Sequence, residues 1–254
     1  MKVIQVCGAS GSGKTTLIRS LVPLLANKGD VAVVKHLGHH RFALPAGKDT
    51  TLFLEAGAPI SAGIDSEKTV VVMDAVSLWA VLDMISSSGT SFTVLEGFKS
   101  LPLPKAVMGD LTGVENIVLG NPRPQDILTC LDRFPDYFSP CGLARDMWGD
   151  GLAASTGTLP AGSSSLPAPE RREFYERFFP MIREMSRDMA GGAATVRVRV
   201  HLHQGLYFGG EDRVLFAVGG PTPGDVLSAF PKVFDRIDSA LRTALAAGRK
   251  DACN

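Results

Sequence analysis

The residues best suited to chemistry lie at positions 8–16, which read G-A-S-G-S-G-K-T-T. This spacing fits G-x-x-x-x-G-K-[ST] and stands between an apolar run at residues 3–7 and a helical pattern that begins at residue 17. Glycines let several backbone N–H groups converge on one point, and a helix start directs its positive dipole end there. Lys14 would reach the β- and γ-phosphates of a nucleotide, and the Thr15 hydroxyl would ligate Mg²⁺. We therefore expect a nucleotide site, rather than a plain turn between a strand and a helix. The residues expected to bind the nucleotide are Gly8, Ala9, Ser10, Gly11, Ser12, Gly13, Lys14, Thr15 and Thr16.

One acidic residue stands at the end of another apolar run. Glu96 follows residues 91–95, where P-loop proteins place an acid near Mg²⁺ or its water. We expect Lys14 and Glu96 to be catalytic, and Thr15, Glu96 and Asp49 to hold the metal. The structural alternatives are a surface carboxylate at Glu96 and a helix cap at Asp49.

Basic residues follow the same kind of run. Lys35 and His36 end residues 31–34, and in open α/β sheets ligands bind at the carboxyl ends of the strands. We expect both to contact the nucleotide. Lys48 and Lys99 could hold phosphates at that edge, or could be solvated surface lysines.

A metal centre built from histidine or cysteine is not favoured. His36, His39 and His40 cluster in one loop, but no cysteine or carboxylate spacing of a zinc site accompanies them. Contact with an anionic ligand or with solvent is therefore the preferred interpretation of these histidines. The cysteines are far apart, which disfavours a disulfide framework and favours a reducing cytoplasm. They are Cys7, Cys130, Cys141 and Cys253.

The elements needed to position these residues alternate along residues 1–133. Continuous apolar runs predict buried parallel strands, and amphipathic stretches between them predict helices. The fold class expected is α/β: a P-loop NTPase with a doubly wound, mostly parallel sheet, followed by a smaller α+β domain. The predicted strands are residues 3–7, 31–34, 69–73, 91–95, 105–108 and 116–119, and the helices after the P-loop helix are 49–57, 77–87 and 125–131.

The chain changes composition after residue 133. Residues 134–169 are rich in Gly, Ser and Pro, and are expected to be a linker or the degenerate start of a second domain. Residues 170–254 are expected to form that α+β domain. Its predicted elements are a helix at 170–189, strands at 195–200 and 214–218, and a helix at 226–247.

Composition narrows the function classes. The 26 basic and 26 acidic residues balance, which argues against nucleic acid as a partner. No apolar run reaches the roughly 18 residues that a membrane span needs. The chain enters a strand directly after Met1, without a signal-peptide pattern. We therefore expect a cytoplasmic protein with neither a membrane nor a nucleic-acid partner.

Five short segments together with the P-loop resemble a known family. They are Lys35-His36, residues 47–50, 55–58 and 96–99, and Pro104-Lys105. In this order they are similar to the molybdopterin-guanine dinucleotide biosynthesis protein B (MobB) family, over residues 1–131, with Thr50 where the family has Ser. The resemblance implies a GTP-binding protein with weak GTPase activity, Mg²⁺ as its cofactor, and a homodimer. It also implies a role in converting molybdopterin to its guanine dinucleotide, with a guanylyltransferase or other cofactor-pathway protein as partner. Binding of molybdopterin itself stays open.

The second domain resembles the catalytic (large) subunit of molybdopterin synthase (MoaE) in a diverged form. The similarity rests on residues 203–206, 214–218 and 234–238. The arginine and lysine positions of that family are missing: Gln204 follows His203, and Leu159-Pro160 stand where an arginine is expected. A retained fold without synthase activity is therefore expected, with His203 a strand-end residue and Arg197 and Arg199 on a solvated strand face.

Two other functions remain open. A P-loop small-molecule or nucleoside kinase would need a lid with paired arginines, and the stretch after Gly120 offers Arg123 and Arg133 alone. A non-catalytic adaptor, switched by nucleotide and bound to a guanylyltransferase, is favoured by the separate second domain. The base-reading motif N-K-x-D is absent, although residues 121–126 follow a strand where a base-contacting loop could lie.

Overall fold

The computed structural model describes residues 1–38, 47–191, 196–203 and 212–248. The strands are β1 (Lys2–Gly8), β2 (Val31–Lys35), β3 (Ile60–Ile64), β4 (Thr69–Met73), β5 (Phe92–Glu96), β6 (Lys105–Met108), β7 (Ile117–Gly120), β8 (Ala153–Pro160), β9 (Arg197–His203) and β10 (Arg213–Gly220). The helices are α1 (Lys14–Ala26), α2 (Asp49–Glu55), α3 (Leu78–Ser87), α4 (Pro124–Thr129), α5 (Pro140–Gly149), α6 (Ala168–Gly191) and α7 (Pro223–Gly248).

A five-stranded parallel sheet in the order β2-β5-β1-β6-β7 organises the first part of the chain. Successive residues of a strand point to opposite faces. Ile4 and Val6 of β1 therefore pack against α1 on one face, and Val3 packs with Leu82 of α3 and Tyr137 on the other. This confirms the predicted α/β class with a parallel, doubly covered sheet.

The strand predicted at residues 69–73 forms, but not in that sheet. It is β4, which pairs antiparallel with β3 in a separate two-stranded hairpin that the sequence analysis missed. The prediction of a fully buried second strand is also wrong, because β2 is an edge strand and Val33 is 48% exposed. Asp49 does not cap α2 but is its first residue; the N-cap is Lys48. An apolar run indicates a strand, whereas the burial of that strand depends on the strands and helices that pack against it.

Residues 134–137 complete the first sheet. The N–H of Val3 donates to the Pro135 carbonyl oxygen at 2.9 Å, and the N–H of Tyr137 donates to that of Met1 at 2.7 Å. Tyr137 is fully buried, and its hydroxyl donates to Asp83 Oδ1 at 2.7 Å. This short segment, outside the predicted 1–133, therefore closes the side of β1 that lies away from the P-loop.

The second part of the chain is an α+β unit built on an antiparallel sheet in the order β8-β10-β9. One face of this sheet packs on α6 and α7 through Phe178, Phe216 and Ile237; the other packs on α5 through Met147 and Leu215. Residues 140–160, within the stretch interpreted as a linker or a domain start, supply α5 and β8 of this unit.

Helix α5 also joins the two units. The N–H of Ser139, just before α5, donates to Ser86 Oγ at 3.0 Å, and Arg145 donates to the Ser87 carbonyl oxygen at 2.7 Å. Both acceptors are on α3, which covers the first sheet. No helix among the described residues combines the length and hydrophobicity needed to cross a bilayer.

Candidate functional site

The P-loop joins β1 to α1 and is shaped by close backbone contacts. A Cβ atom on Gly8 would lie 2.4 Å from Ser12 Oγ and 2.5 Å from the Met108 carbonyl oxygen, so only glycine fits there. Gly13 is the N-cap of α1 and has a left-handed φ of 86°, which glycine adopts without strain. The loop therefore needs glycine at both ends for steric reasons.

The polar groups of the loop are poorly satisfied by the protein itself. No side chain caps the start of α1, so its first N–H groups are available to an anion. Ser12 Oγ is buried and has no hydrogen-bond partner within the described part of the chain. Lys14 Nζ donates to the Ala9 carbonyl oxygen at 2.5 Å, so its ammonium lies across the loop. These groups fit a bound phosphate, which would accept from all of them.

Glu96 lies beside this loop because β5 is paired with β1. Its register partner on β1 is Val6, and on β2 it is Lys35. Thr15 Oγ1 donates to the Glu96 carboxylate at 3.2 Å, and Lys35 Nζ lies 3.3 Å from Glu96 Oε1. The Glu96 side chain is 10% exposed, whereas that of Lys35 is 54% exposed. The structure thus brings Thr15, Lys35 and Glu96 together, and a hydroxyl beside a carboxylate suits Mg²⁺.

The other predicted residues divide between this cluster and its surroundings. His36 donates its N–H to the Glu96 carbonyl oxygen at 2.9 Å and stacks on Phe98, with ring centroids 4.8 Å apart. Asp49 is exposed in the first turn of α2, and no group of three His, Cys, Asp or Glu side chains in the described ranges could hold a metal. Lys99 is exposed on the loop after Glu96. His39 and His40 lie outside the described residues.

Side chains under the Glu96 loop were missed by the sequence analysis. Gln5 Nε2 donates to the carbonyl oxygens of Gly97 at 2.9 Å and Phe98 at 2.6 Å. Cys7 Sγ donates to the Gly97 oxygen at 3.0 Å, and burial raises the pKa of this thiol. Lys105 is 1% exposed and donates to the Leu101 oxygen at 2.6 Å. The sequence signal that could have found them is a polar residue within an apolar strand, such as Gln5 in residues 3–7 or Lys105 in residues 105–108.

A second concave region lies between α2 and the β3-β4 hairpin, with a volume of about 840 Å³. Lys48 and Thr50 line one side, and Gly63, Val70 and Val72 line the other. The wall is mainly apolar, with Lys48 as its basic group. Of the predicted phosphate-binding lysines, Lys48 is therefore in this region, and Lys35 is in the P-loop cluster.

The predicted residues of the second unit are structural in their contacts. His203 is 1% exposed, and its Nε2 donates to the Phe138 carbonyl oxygen at 2.8 Å. Burial lowers the pKa of His203 to about 4 and that of His201 to about 3. Arg197 pairs with Asp150, and Arg199 is exposed. Cys7, Cys130 and Cys141 are free thiols, and Cys253 lies outside the described residues.

The sheet order, the P-loop and the acid at the end of β5 can be compared with known proteins. Residues 3–119 match the MobB family. The matching family model is described as Molybdopterin guanine dinucleotide synthesis protein B, and it covers the P-loop, Lys35, Glu96 and Lys105. The match ends within β7, so the resemblance of the second unit to the molybdopterin synthase large subunit stays a prediction.

Two curated relatives match the same part of the chain. The molybdopterin-guanine dinucleotide biosynthesis adapter protein of Haemophilus influenzae is 33% identical over 110 residues, which are 42% of this chain and 62% of the relative. A Methanocaldococcus jannaschii protein, provisionally given the same name, is 37% identical over 112 residues, which are 42% of this chain and 47% of the relative. The chain thus spans about half to three-fifths of the length of these MobB-like relatives.

Solved MobB structures align with a similar share of the chain. Bacillus subtilis MobB is 20% identical with a TM-score of 0.42, and the alignment covers 54% of this chain and all of that one. A MobB homologue from Bacillus stearothermophilus is 21% identical with a TM-score of 0.38, covering 52% and 94%.

Proposed function

We propose that the MobB-like domain binds GTP with Mg²⁺ and hydrolyses it slowly, and that it assists the formation of molybdopterin guanine dinucleotide. The observation that carries this proposal is the Thr15–Glu96 contact beside a P-loop whose helix start is uncapped. The match of residues 3–119 to the MobB family supports a role in molybdopterin guanine dinucleotide formation. The names of the two adapter relatives support the same role.

The chain's own residues would divide the work as follows. The first N–H groups of α1 and the Ser12 hydroxyl donate to the phosphates, and Lys14 leaves the Ala9 oxygen to neutralise charge on the transferring phosphate. Thr15 and Glu96 would hold Mg²⁺, which would supply neutralisation of phosphate charge. Lys35, whose ammonium lies 3.3 Å from Glu96 Oε1, is close enough to the carboxylate to turn towards a phosphate oxygen of the bound nucleotide.

Slow turnover follows from the small number of groups near the reacting phosphate. Rapid P-loop GTPases orient the attacking water with a dedicated side chain and add an arginine. Here Glu96 is the proposed water-orienting group, and residues 8–16 contain no arginine of their own. A partner protein could supply the missing charge, which suits an adapter.

The experiment is a titration of the full chain with GTP and Mg²⁺ by calorimetry, with Lys14→Ala as the test variant. Loss of a charged hydrogen-bond donor costs about 1.5–3 kcal/mol, so affinity should fall roughly 10- to 100-fold and turnover should fall with it. Lys28→Ala, exposed beyond the far end of the same helix, is the matched control and should bind normally. Unchanged affinity and turnover in Lys14→Ala would overturn the P-loop assignment.

A non-catalytic adaptor is the second candidate, and the exposed hairpin favours it. In β3 and β4, Ile60, Ala62 and Ile64 alternate onto one face with Val71, and all four are exposed. We propose that this face forms the homodimer, since an isolated two-stranded hairpin with free edges is marginal in water.

Negligible turnover combined with nucleotide-dependent binding to a guanylyltransferase would favour the adaptor over the GTPase. Molybdopterin belongs in the same titrations, as a ligand of either domain.

A further inference from the structure

The positions of Thr15 and Glu96, the two residues proposed to hold Mg²⁺, indicate where the base of a bound nucleotide would lie. Thr15 and Glu96 are on the β5 side of β1, and they would hold the Mg²⁺ that neutralises the terminal phosphates. The terminal phosphate of a bound nucleotide would therefore lie towards β5, and the ribose and base would extend the other way, over the ends of β6 and β7. Neighbouring strands are about 4.8 Å apart, so the end of β7 lies roughly 10 Å across the sheet edge from the P-loop strand.

The residues after β6 and β7 are linked to each other and to the P-loop. Gly109 follows β6, and a Cβ atom there would lie 3.3 Å from the Ser12 Cβ. The N–H of Gly109 donates to Asn121 Oδ1 at 2.6 Å, and the N–H of Asn121 donates to the Val107 oxygen at 2.7 Å. Asn121 thus stands at the same edge of the sheet as the P-loop, one hydrogen bond from a residue that lies close to Ser12.

The Gly109 bond fixes the orientation of the Asn121 amide. A backbone N–H only donates, so the atom that it contacts must be the amide oxygen, and Nδ2 takes the opposite position. Asn121 is exposed, and its Nδ2 donates to no acceptor in the described part of the chain. Its φ of 46° is left-handed, a conformation that few residues other than glycine adopt and that asparagine tolerates. The result is a held donor facing the solvent.

We propose that Asn121 reads position 6 of the purine and selects guanine over adenine. Guanine carries the acceptor O6 at this position, whereas adenine carries the donor N6 amino group. A fixed N–H donor pairs with O6 and has nothing to offer an amino group. This inference rests on the proposed nucleotide site and adds to it the class of base, a 6-oxopurine, in a chain without the N-K-x-D motif.

The test is competition binding of GTP, ITP and ATP, each with Mg²⁺, to the full chain and to Asn121→Asp. The carboxylate keeps an acceptor for the Gly109 N–H, so the loop retains its bond, but it replaces the Nδ2 donor with an acceptor. The wild type should bind GTP and ITP alike, because both carry O6, and at least tenfold tighter than ATP. In Asn121→Asp, GTP and ITP affinity should fall tenfold or more, and ATP should bind as well as GTP or better.

Asn116→Asp is the matched control. Asn116 also has a left-handed φ, of 58°, and its Nδ2 donates to the Pro102 oxygen at 2.8 Å, but it precedes β7 at the opposite end of the strand. This variant should keep the wild-type preference among the three nucleotides. A wild type that binds ATP as tightly as GTP, or an unchanged preference in Asn121→Asp, would overturn the inference and leave the nucleotide site intact. Absence of binding by all three nucleotides to the wild type would overturn the proposed function itself.

Discussion

Lys105 shows how a buried cation can serve a site that it does not touch. Its ammonium donates to the carbonyl oxygens of Leu101 at 2.6 Å and Lys99 at 3.3 Å, and Gln5 holds the Gly97 and Phe98 oxygens of the same loop. This loop leaves β5 directly at Glu96. The position of the carboxylate that meets Thr15 is therefore maintained by side chains on the far side of the backbone.

Replacing Lys105 with alanine should lower the free energy of unfolding by about 2–4 kcal/mol, because it leaves a cavity and removes the donor to two partly buried carbonyl oxygens. Urea titration of the full chain measures this change. Lys68→Ala, in the exposed turn between β3 and β4, is the control and should stay within about 0.5 kcal/mol of the wild type. Equal stability of the two variants would show that the Lys105 ammonium does not hold the loop.

At the scale of single residues, the sequence predicts a functional residue where that residue belongs to a motif of known spacing. The P-loop residues and Glu96 could be predicted because a motif and a strand end define them. Gln5, Cys7 and Lys105 could not be predicted, since their partners at residues 97–101 are assembled by strand pairing. The orientation of the Asn121 amide likewise depends on Gly109, which reaches it only when β6 and β7 are neighbours.

At the element scale, the β3-β4 hairpin is the least self-sufficient part of the first domain. Its inner face contacts α2, with Gly63 close to Thr50, whereas Ile64 on the outer face is 80% exposed and Val71 is 50% exposed. The run at residues 69–73 has the composition of a buried strand. This composition indicates that another surface covers the strand, and we expect that surface to belong to a second copy of the chain.

Val71→Lys should convert the proposed homodimer to a monomer, because it places a charge in the centre of the outer hairpin face. Sedimentation velocity measures the outcome: the wild type should have twice the 26.9 kDa mass of one chain, and the variant should have that mass once. Leu227→Lys, at a position on α7 that is 73% exposed, is the control and should remain a dimer. A monomeric wild type, or a dimeric Val71→Lys variant, would contradict the proposed interface.

At the scale of the whole molecule, the two domains meet around a pair of neutral histidines. His203 and His201 have pKa values of about 4 and about 3, lowered from the usual 6.5 by burial, and their rings contact Tyr137 and Phe138. In the unfolded chain they would take up protons below about pH 6.5. Their contribution to stability is therefore fully present above pH 6.5 and is lost as the pH falls towards 4.

Between pH 7 and pH 5, one such histidine should remove about 2 kcal/mol from the free energy of unfolding. His203→Gln keeps a donor for the Phe138 oxygen but does not titrate, so the loss over this interval should shrink by about that amount. Ser87→Ala, which removes a hydroxyl 3.1 Å from Ser139 Oγ at the same contact, is the control and should leave the pH dependence unchanged. An unaltered slope in His203→Gln would show that this histidine is not held neutral.

The order of the helices and strands was predictable in outline. The switch from alternating strands and helices to a Gly- and Ser-rich stretch marked two units, and both long helices, α6 and α7, lie where their periodicity predicted them. The boundary was harder, because α5 and β8 have little apolar periodicity of their own. Their burial comes from Leu215 and Ala217 of β10, which follow much later in the chain.

Residues 134–139 belong to both halves at once. They hydrogen-bond the start of β1 through Pro135 and Tyr137, and they provide the Phe138 oxygen on which His203 rests. A gene fusion or a protease that divided the chain before this stretch would leave the first sheet open, and a division after it would leave His203 without its acceptor. Neither half would therefore keep all of its contacts if it were transferred alone to another protein, so recombination would have to transfer both halves together.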